Sequence, residues 1–376
     1  MLPARSQRVW PLQAALAVVV MITAAMAWSI WGPGTRSGTT ASIGSQLEAS
    51  PSDGAPAASP STTPAAIAST QVTGAAPGLE SDSVRFYEER SGKSFQARLR
   101  DGSVLPLSDT VLPNFVTSWW VPGSPQVISK FDDGSTVSYR HYDFTTDVSS
   151  DVGSLVTAIA LSPDGSGVVY AQTETGRMDI IRADTDGTNA SVLLSTRAVD
   201  VGLTWPAQDR IAVTLRRNPD GARDLLELDL DGSIVPLFTG MQNLETSWSR
   251  DGSWLLYSYY RDADGVTLRM HSISDGTDVD TGLKTSAAKC AWASDGLSFV
   301  CGVPSSAALT GDVPAELTAT NDSVVLAARD SLEQTTLYRA QSRPLLSVSR
   351  PFISSSGAFF VFTNLFDRKL YSFPLR

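Results

Sequence analysis

Two patterns of apolar and polar residues divide the chain. From Val9 to Trp31 no charge interrupts the run VWPLQAALAVVVMITAAMAWSIW. At helical rise this run spans about 34 Å, enough for a hydrocarbon core of about 30 Å. It predicts a transmembrane signal-anchor helix over 9–31. Residues 83–376 instead alternate apolar and polar positions in short segments broken by Asp-Gly and Ser-Gly pairs, which predicts strands and tight turns. Between the two lies a third material. Of the 49 residues 32–80, 38 are Gly, Ala, Ser, Thr or Pro, four are charged and none is aromatic. Such a stretch cannot bury enough apolar surface to offset its ordering entropy, so 32–82 is expected to be a disordered linker.

The alternating body repeats. Six segments share one plan: Trp120-VPGSPQVIS, Leu161-SPDGSGVVY, Trp205-PAQDRIAV, Trp248-SRDGSWLLY, Trp292-ASDGLSFVC and Ile353-SSSGAFFVF. In each, a large apolar residue ends a strand, a polar turn follows, and a second apolar strand begins. The anchors are 41, 44, 43, 44 and 61 residues apart. A period in the low forties holding four short strands is the signature of a β-propeller blade. The last spacing implies an insertion of about 18 residues within 303–330. A further unit, VRFYEERSGKSFQARLRDGSVLPLSD, precedes the first anchor with no clear first strand, and the last unit lacks a fourth. About six and a half periods leave six or seven blades, and the N-terminal hairpin plus strand favours seven. The expected fold is therefore all-β: a β-propeller over 83–376, preceded by one transmembrane helix and a linker.

These xSPDGxxVxY repeats resemble those of TolB-like propellers, a class that includes the propeller domains preceding prolyl-oligopeptidase-type hydrolases. KCAWASDGLSFVCGVP and FVFTNLFDRKLYSFPL are also similar to segments of uncharacterised, N-terminally anchored bacterial propeller proteins. The resemblance implies architecture rather than activity. TolB carries an additional α/β domain with no counterpart here, so its partners do not carry over.

Charge sets the address. The whole chain has 29 Lys+Arg against 39 Asp+Glu, a formal net charge of -10. Arg5, Arg8 and Arg36 balance Glu48, Asp53 and Glu80 in the first 80 residues, so the negative excess sits on the body. An acidic body repels phosphate backbones, and no nucleic-acid partner is expected. Arg5 and Arg8 precede the apolar run, which keeps residues 1–8 cytoplasmic and exports the propeller across the cytoplasmic membrane. A cleaved signal peptide is the competing reading, because Ala25-Met26-Ala27 offers small residues at a peptidase spacing. The run continues past that site through Trp31, which favours the uncleaved anchor.

Few motifs carry chemistry. No Gly-x-Ser-x-Gly elbow exists, and Ser91-Gly92-Lys93-Ser94 has Tyr87 where a phosphate loop needs Gly, so it reads as a hairpin turn. His141 and His271 lie on third strands with no second His or Cys nearby and read as half-exposed strand residues. Asp184/Asp186, Asp229/Asp231 and Asp262/Asp264 pair carboxylates before Gly. They lack the further oxygens calcium requires and read first as turns, with weak calcium binding the alternative. Trp254, Tyr257, Tyr259 and Tyr260 form an aromatic strand suited to packing between blades. No cofactor, metal or catalytic residue is implied.

The expected function is a membrane-tethered, non-enzymatic interaction or scaffold module of the cell envelope, its protein partner unidentified and its 303–330 insertion the candidate contact. The alternative is a propeller enzyme of lyase or glycosidase type, with acidic residues converging on the central channel.

The two cysteines, Cys290 and Cys301, flank the turn Ser294-Asp295-Gly296-Leu297. A symmetric four-residue loop places them directly opposite each other, near enough for a disulfide after small adjustment. An exported domain meets an oxidising compartment. A bulge at Gly296 would instead send the two side chains to opposite faces, leaving buried thiols.

Overall fold

The alternating segments pair into seven four-stranded antiparallel sheets. The computed structural model describes residues 63–198, 200–216, 221–261, 265–305 and 318–375. Blades 1 to 6 span 72–108, 115–151, 156–196, 200–242, 245–280 and 290–338, and blade 7 spans 348–374. The described residues thus form an all-β, seven-bladed propeller. The expected helix over 9–31 lies outside the described residues, among which no helix is long and apolar enough to cross a membrane.

Two strands sit where the linker was expected. Val72–Pro77 is the inner strand of blade 1, and Ala65–Ala66 pairs with Leu370–Pro374 as the outer strand of blade 7. The N-terminal side therefore closes the ring and supplies both elements that the repeat lacked. VTGAAP reads as linker because the position demands small residues. Gly74 has φ +59°, and a Cβ there would stand 2.1 Å from Ser118 Oγ of blade 2. No side chain fits so close an approach.

The anchors end the inner strands as the repeat required, with Trp205 inside Asp200–Ala207 and the others at the last strand position. They seal the seams. Trp120 Nε1 donates to Gly74 O of the preceding blade at 2.8 Å, and Trp292 Nε1 repeats the contact on Ser247 O at 3.0 Å. Apolar clusters fill every seam, from Tyr87, Trp120 and Val127 between blades 1 and 2 to Val84, Phe86, Val361 and Leu370 where blade 7 meets blade 1. A sheet with two apolar faces is buried only by a neighbour on each side, which is why the blades close into a ring.

The 61-residue spacing resolves into the connection between Ser298–Pro304 and Asp322–Ala328. Its ends are joined by Ser305 N donating to Asn321 O at 2.9 Å, and its middle, 306–317, lies outside the described residues.

Cys290 and Cys301 are register partners and form a disulfide. The bridge spans 11 residues of sequence and ties the short inner strand Cys290–Trp292 to its neighbour. By the loop-entropy relation, closing a loop of this size contributes about 3 kcal/mol. Reduction, or the Cys290→Ala/Cys301→Ala double variant, is expected to lower the unfolding free energy by about 2–3 kcal/mol in urea titrations. No change on reduction would show that the hairpin is held without the bridge.

Candidate channel site

All seven inner strands begin on one face, here the upper face, and the antiparallel order puts the turns between second and third strands there too. In the upper half of the channel, blades 7, 1, 2 and 3 enclose a cavity of about 620 Å³. Its walls are small because the inner strands carry Gly74, Ala75, Thr117, Thr157, Ala158 and Ser349 there.

Each of these four strands also breaks register at the cavity: between Thr73 and Ala76, Phe115 and Thr117, Val156 and Ala158, and Ser349 and Phe352. A bulge adds a residue, bends its strand and re-aims side chains, and bulges concentrate beside functional sites. The bulge in blade 7 holds Arg350 in the left-handed region, φ 48°, and exposes its side chain to the cavity. A non-glycine residue keeps that conformation only when its surroundings enforce it.

The charged lining is basic. Lys130, Arg350 and Arg368 face one carboxylate, Glu89, which pairs with Arg368. Glu89 and Arg368 come from the upper-face turns of blades 1 and 7. Lys130 comes from the second strand of blade 2, with its Nζ 5.9 Å from the centre of the Tyr139 ring. Tyr139 in turn packs against Trp119, ring centres 5.8 Å apart, and burial raises the pKa of its phenol. In a chain of net charge -10, three cations in one concave, partly apolar space make a local anion trap set in a repelling surface.

A second cavity, about 190 Å³, lies between blades 4 and 5 and is lined by Gly202, Thr204, Arg223, Thr246 and Glu245 among others. Glu245 accepts a hydrogen bond from Ser286 Oγ. Each cavity thus has one lining carboxylate, and neither has the pair that glycosidase chemistry needs. The acidic residues expected to converge on the channel are represented in the larger cavity by Glu89 alone, and a bulge, a second strand and an upper-face turn bring Arg350, Lys130 and Arg368 beside it.

The other sequence candidates fall elsewhere. His141 is buried rather than half-exposed, 3.3 Å from Gln126 Oε1, and desolvation lowers its pKa. His271 sits 3.5 Å from Asp278 and edge-on to Phe238. Neither lines the cavities. Asp186 and Asp231 cap their own turns by accepting the amides of Thr188 and Ser233. Asp262 and Asp264 lie outside the described residues. Ser91–Lys93 closes a hairpin, Glu88 N donating to Lys93 O at 2.9 Å. Tyr257 packs between blades 4 and 5, its ring 4.4 Å from that of Phe238.

No protein-family profile and no curated protein matches the sequence. Solved structures do match in fold. An oligogalacturonate lyase in complex with manganese is 13% identical, with a TM-score of 0.60 over 82% of this chain and 90% of that one. The oligogalacturonate lyase of Vibrio parahaemolyticus is 10% identical, with a TM-score of 0.59 over 83% and 93%. The β-propeller domain of the trilobed protease from Pyrococcus furiosus is 11% identical, with a TM-score of 0.53 over 81% and 94%. The TolB-like propeller reading of the repeats therefore stands at the level of fold. The expectation of a non-enzymatic scaffold does not stand, because the propellers this chain resembles include enzymes spanning nearly the same length. A manganese site does not fit the described residues. Manganese takes oxygen and imidazole ligands, and among the described residues no three His, Cys, Asp or Glu converge to offer them.

Proposed function

We propose that this propeller is a lyase acting on acidic, uronate-type oligosaccharides in the upper half of its central channel. The cluster of Lys130, Arg350 and Arg368 around one cavity carries the reading, and the fold likeness to the two oligogalacturonate lyases supports it. Elimination from a uronate passes the proton α to the carboxylate to a base, for which the cavity lining offers the carboxylate of Glu89. The C–H electrons form a carbon–carbon double bond, the glycosidic C–O bond breaks, and the leaving oxygen takes a proton from water or from the protonated base. Negative charge builds on the carboxylate as the α-proton leaves, so cations fixed against that group stabilise the transition state more than the ground state. Arg350 and Arg368 are the proposed carboxylate clamp, since guanidinium groups match carboxylates in a planar fork. Lys130 is the point charge opposite them. We also propose that the run from Val9 to Trp31 tethers this enzyme to the cytoplasmic membrane with the propeller outside; protease accessibility in intact cells tests that placement.

The enzymatic test is direct. Incubation with oligogalacturonate or another polyuronate is expected to produce the ultraviolet absorbance of the new conjugated double bond. A hydrogen bond to a charged group contributes about 1.5–3 kcal/mol, so Arg350→Ala should lower kcat/KM by about 10- to 150-fold. Absence of absorbance with every polyuronate, together with no salt-sensitive binding of them, would overturn the reading.

A further inference from the structure

The seam between blades 1 and 2 holds a cavity of about 280 Å³ that shares no lining residue with the channel cavity. Strand register explains its two walls. In blade 1, Tyr87, Ser94 and Ser108 are consecutive cross-strand partners and share one face. In blade 2, Tyr142 pairs with Ser149, and Ser129 lies on the adjoining second strand. One end of the cavity is therefore a row of neutral hydroxyls, while Phe131, Tyr142 and Phe144 supply ring faces.

One buried hydroxyl in this lining is left for a ligand to pair. Ser94 is 1% exposed, lines this cavity, and its Oγ has no hydrogen-bond partner. A buried hydroxyl left unpaired costs about 1–3 kcal/mol, and native proteins rarely leave one without a reason. Its neighbours Tyr87 and Ser129 are 3% and 4% exposed, so the hydroxyl end of the site is buried. The outer end carries both signs, Arg140 and Asp147, with Asp147 accepting the Tyr142 hydroxyl at 2.7 Å. Such a lining has no net charge to recruit an ion. It suits a compact ring with one apolar face and an edge of hydroxyl groups.

We propose that this inter-blade cavity binds a single neutral pyranose unit, its C–H face on the aromatic wall and its hydroxyls on Ser94 and Ser129. The volume lies just below the roughly 300 Å³ at which drug-sized pockets begin, room for one six-membered ring and its substituents. A site this small gives weak binding, with a Kd on the order of 1 mM. It does not depend on the channel reading.

Titration calorimetry and saturation-transfer NMR on the whole protein, with methyl glycosides of galactose, glucose and xylose, test the site. At least one pyranoside is expected to bind better than cyclohexylmethanol, a ring of similar size without the hydroxyl edge. Ser94→Ala removes a hydroxyl that has no protein partner, so it should leave the unfolding midpoint unchanged or higher while weakening the sugar about tenfold. Ser149→Trp, on the outer strand beside Tyr142, should fill the cavity and abolish binding. Arg350→Ala, in the channel, should leave it unchanged. Pyranoside binding that survives both Ser94→Ala and Ser149→Trp, or is lost only in Arg350→Ala, would overturn the proposal, as would preference for the apolar ring.

Discussion

Replacing Lys289 by methionine is expected to lower the unfolding free energy by about 3–5 kcal/mol, the cost of leaving a buried charge without its partner. Lys289 and Asp322 are both fully buried, and Nζ meets Oδ2 at 2.8 Å. The ammonium also donates to Thr320 Oγ1 at 2.9 Å and to Ser347 Oγ and Val348 O at 3.2 Å. The carboxylate accepts the Val348 amide at 2.7 Å and the Thr320 hydroxyl at 2.6 Å. Lys289 ends the 3₁₀ turn Ala287–Lys289, Asp322 opens the third strand of blade 6, and Val348 opens the inner strand of blade 7. The network therefore fixes the upper end of the strand that presents Ser349 and Arg350 to the channel. Methionine keeps the stem but orphans Asp322, whose carboxyl burial already pushes above its ordinary value against the pull of Lys289 and Thr320. Lys289→Met/Asp322→Leu removes both charges and should recover most of the loss, since buried pairs often exchange with apolar residues at little net cost. A double variant no more stable than the single one would show that the hydroxyl and backbone contacts, not the charges, hold the seam. Because the strand start moves with the network, Lys289→Met should also weaken uronate binding.

That network was illegible in the chain, and the reason is distance. Lys289 precedes CAW, where a lone lysine reads as a solvated strand end, and its partner lies 33 residues away beyond the long connection. Periodic features were legible because each blade states them again. A large apolar residue, a polar turn and an apolar strand recur at each anchor, and every anchor but Trp205 ends its inner strand. The Cys290–Cys301 register was legible for a related reason: both residues belong to one hairpin whose turn fixes their pairing. Features written once were missed. Val72–Pro77 looked like linker because an inner strand pressed against Ser118 must be small. The basic channel was masked by the acidic total, since Lys130, Arg350 and Arg368 come from blades 2 and 7 and meet only when the ring closes.

Ring closure itself supplies the second large effect, at the lower edge of the seam between blades 7 and 1. In blades 3 and 5 the corresponding turn is closed by a serine and an aspartate of the same blade. Ser162 Oγ donates to Asp164 and Ser249 Oγ to Asp251, both at 2.6 Å, while each serine also accepts the amide of Gly167 or Trp254 at 2.9 Å. Blade 7 has Ser354 in the serine position but Ser356 where the aspartate should be. Asp82, from the first turn of blade 1, supplies the carboxylate from outside. Its Oδ1 accepts Ser354 Oγ at 3.1 Å and also Ser356 Oγ, and its Oδ2 accepts Arg100 Nε at 2.8 Å. Asp82 is 3% exposed and holds φ 54°. Desolvation raises its pKa, but the hydrogen bonds from Ser356, Ser354 and Arg100 outweigh that and hold the carboxyl below its ordinary value. A depressed carboxyl contributes stability above its unfolded value, about 3.9, and loses it as pH falls through the lower folded value. Asp82→Ala is therefore expected to cost about 3–4 kcal/mol at neutral pH, with the gap to wild type narrowing below about pH 4. Ser356→Asp separates this account from a merely sensitive position. In the wild type it sets a second carboxylate against Asp82 and should destabilise. In the Asp82→Ala background it rebuilds the local turn of blades 3 and 5 and should stabilise. Urea titrations of the four proteins at two pH values read the sign directly, and a destabilising Ser356→Asp in both backgrounds would sink the idea that blade 1 lends blade 7 its missing aspartate.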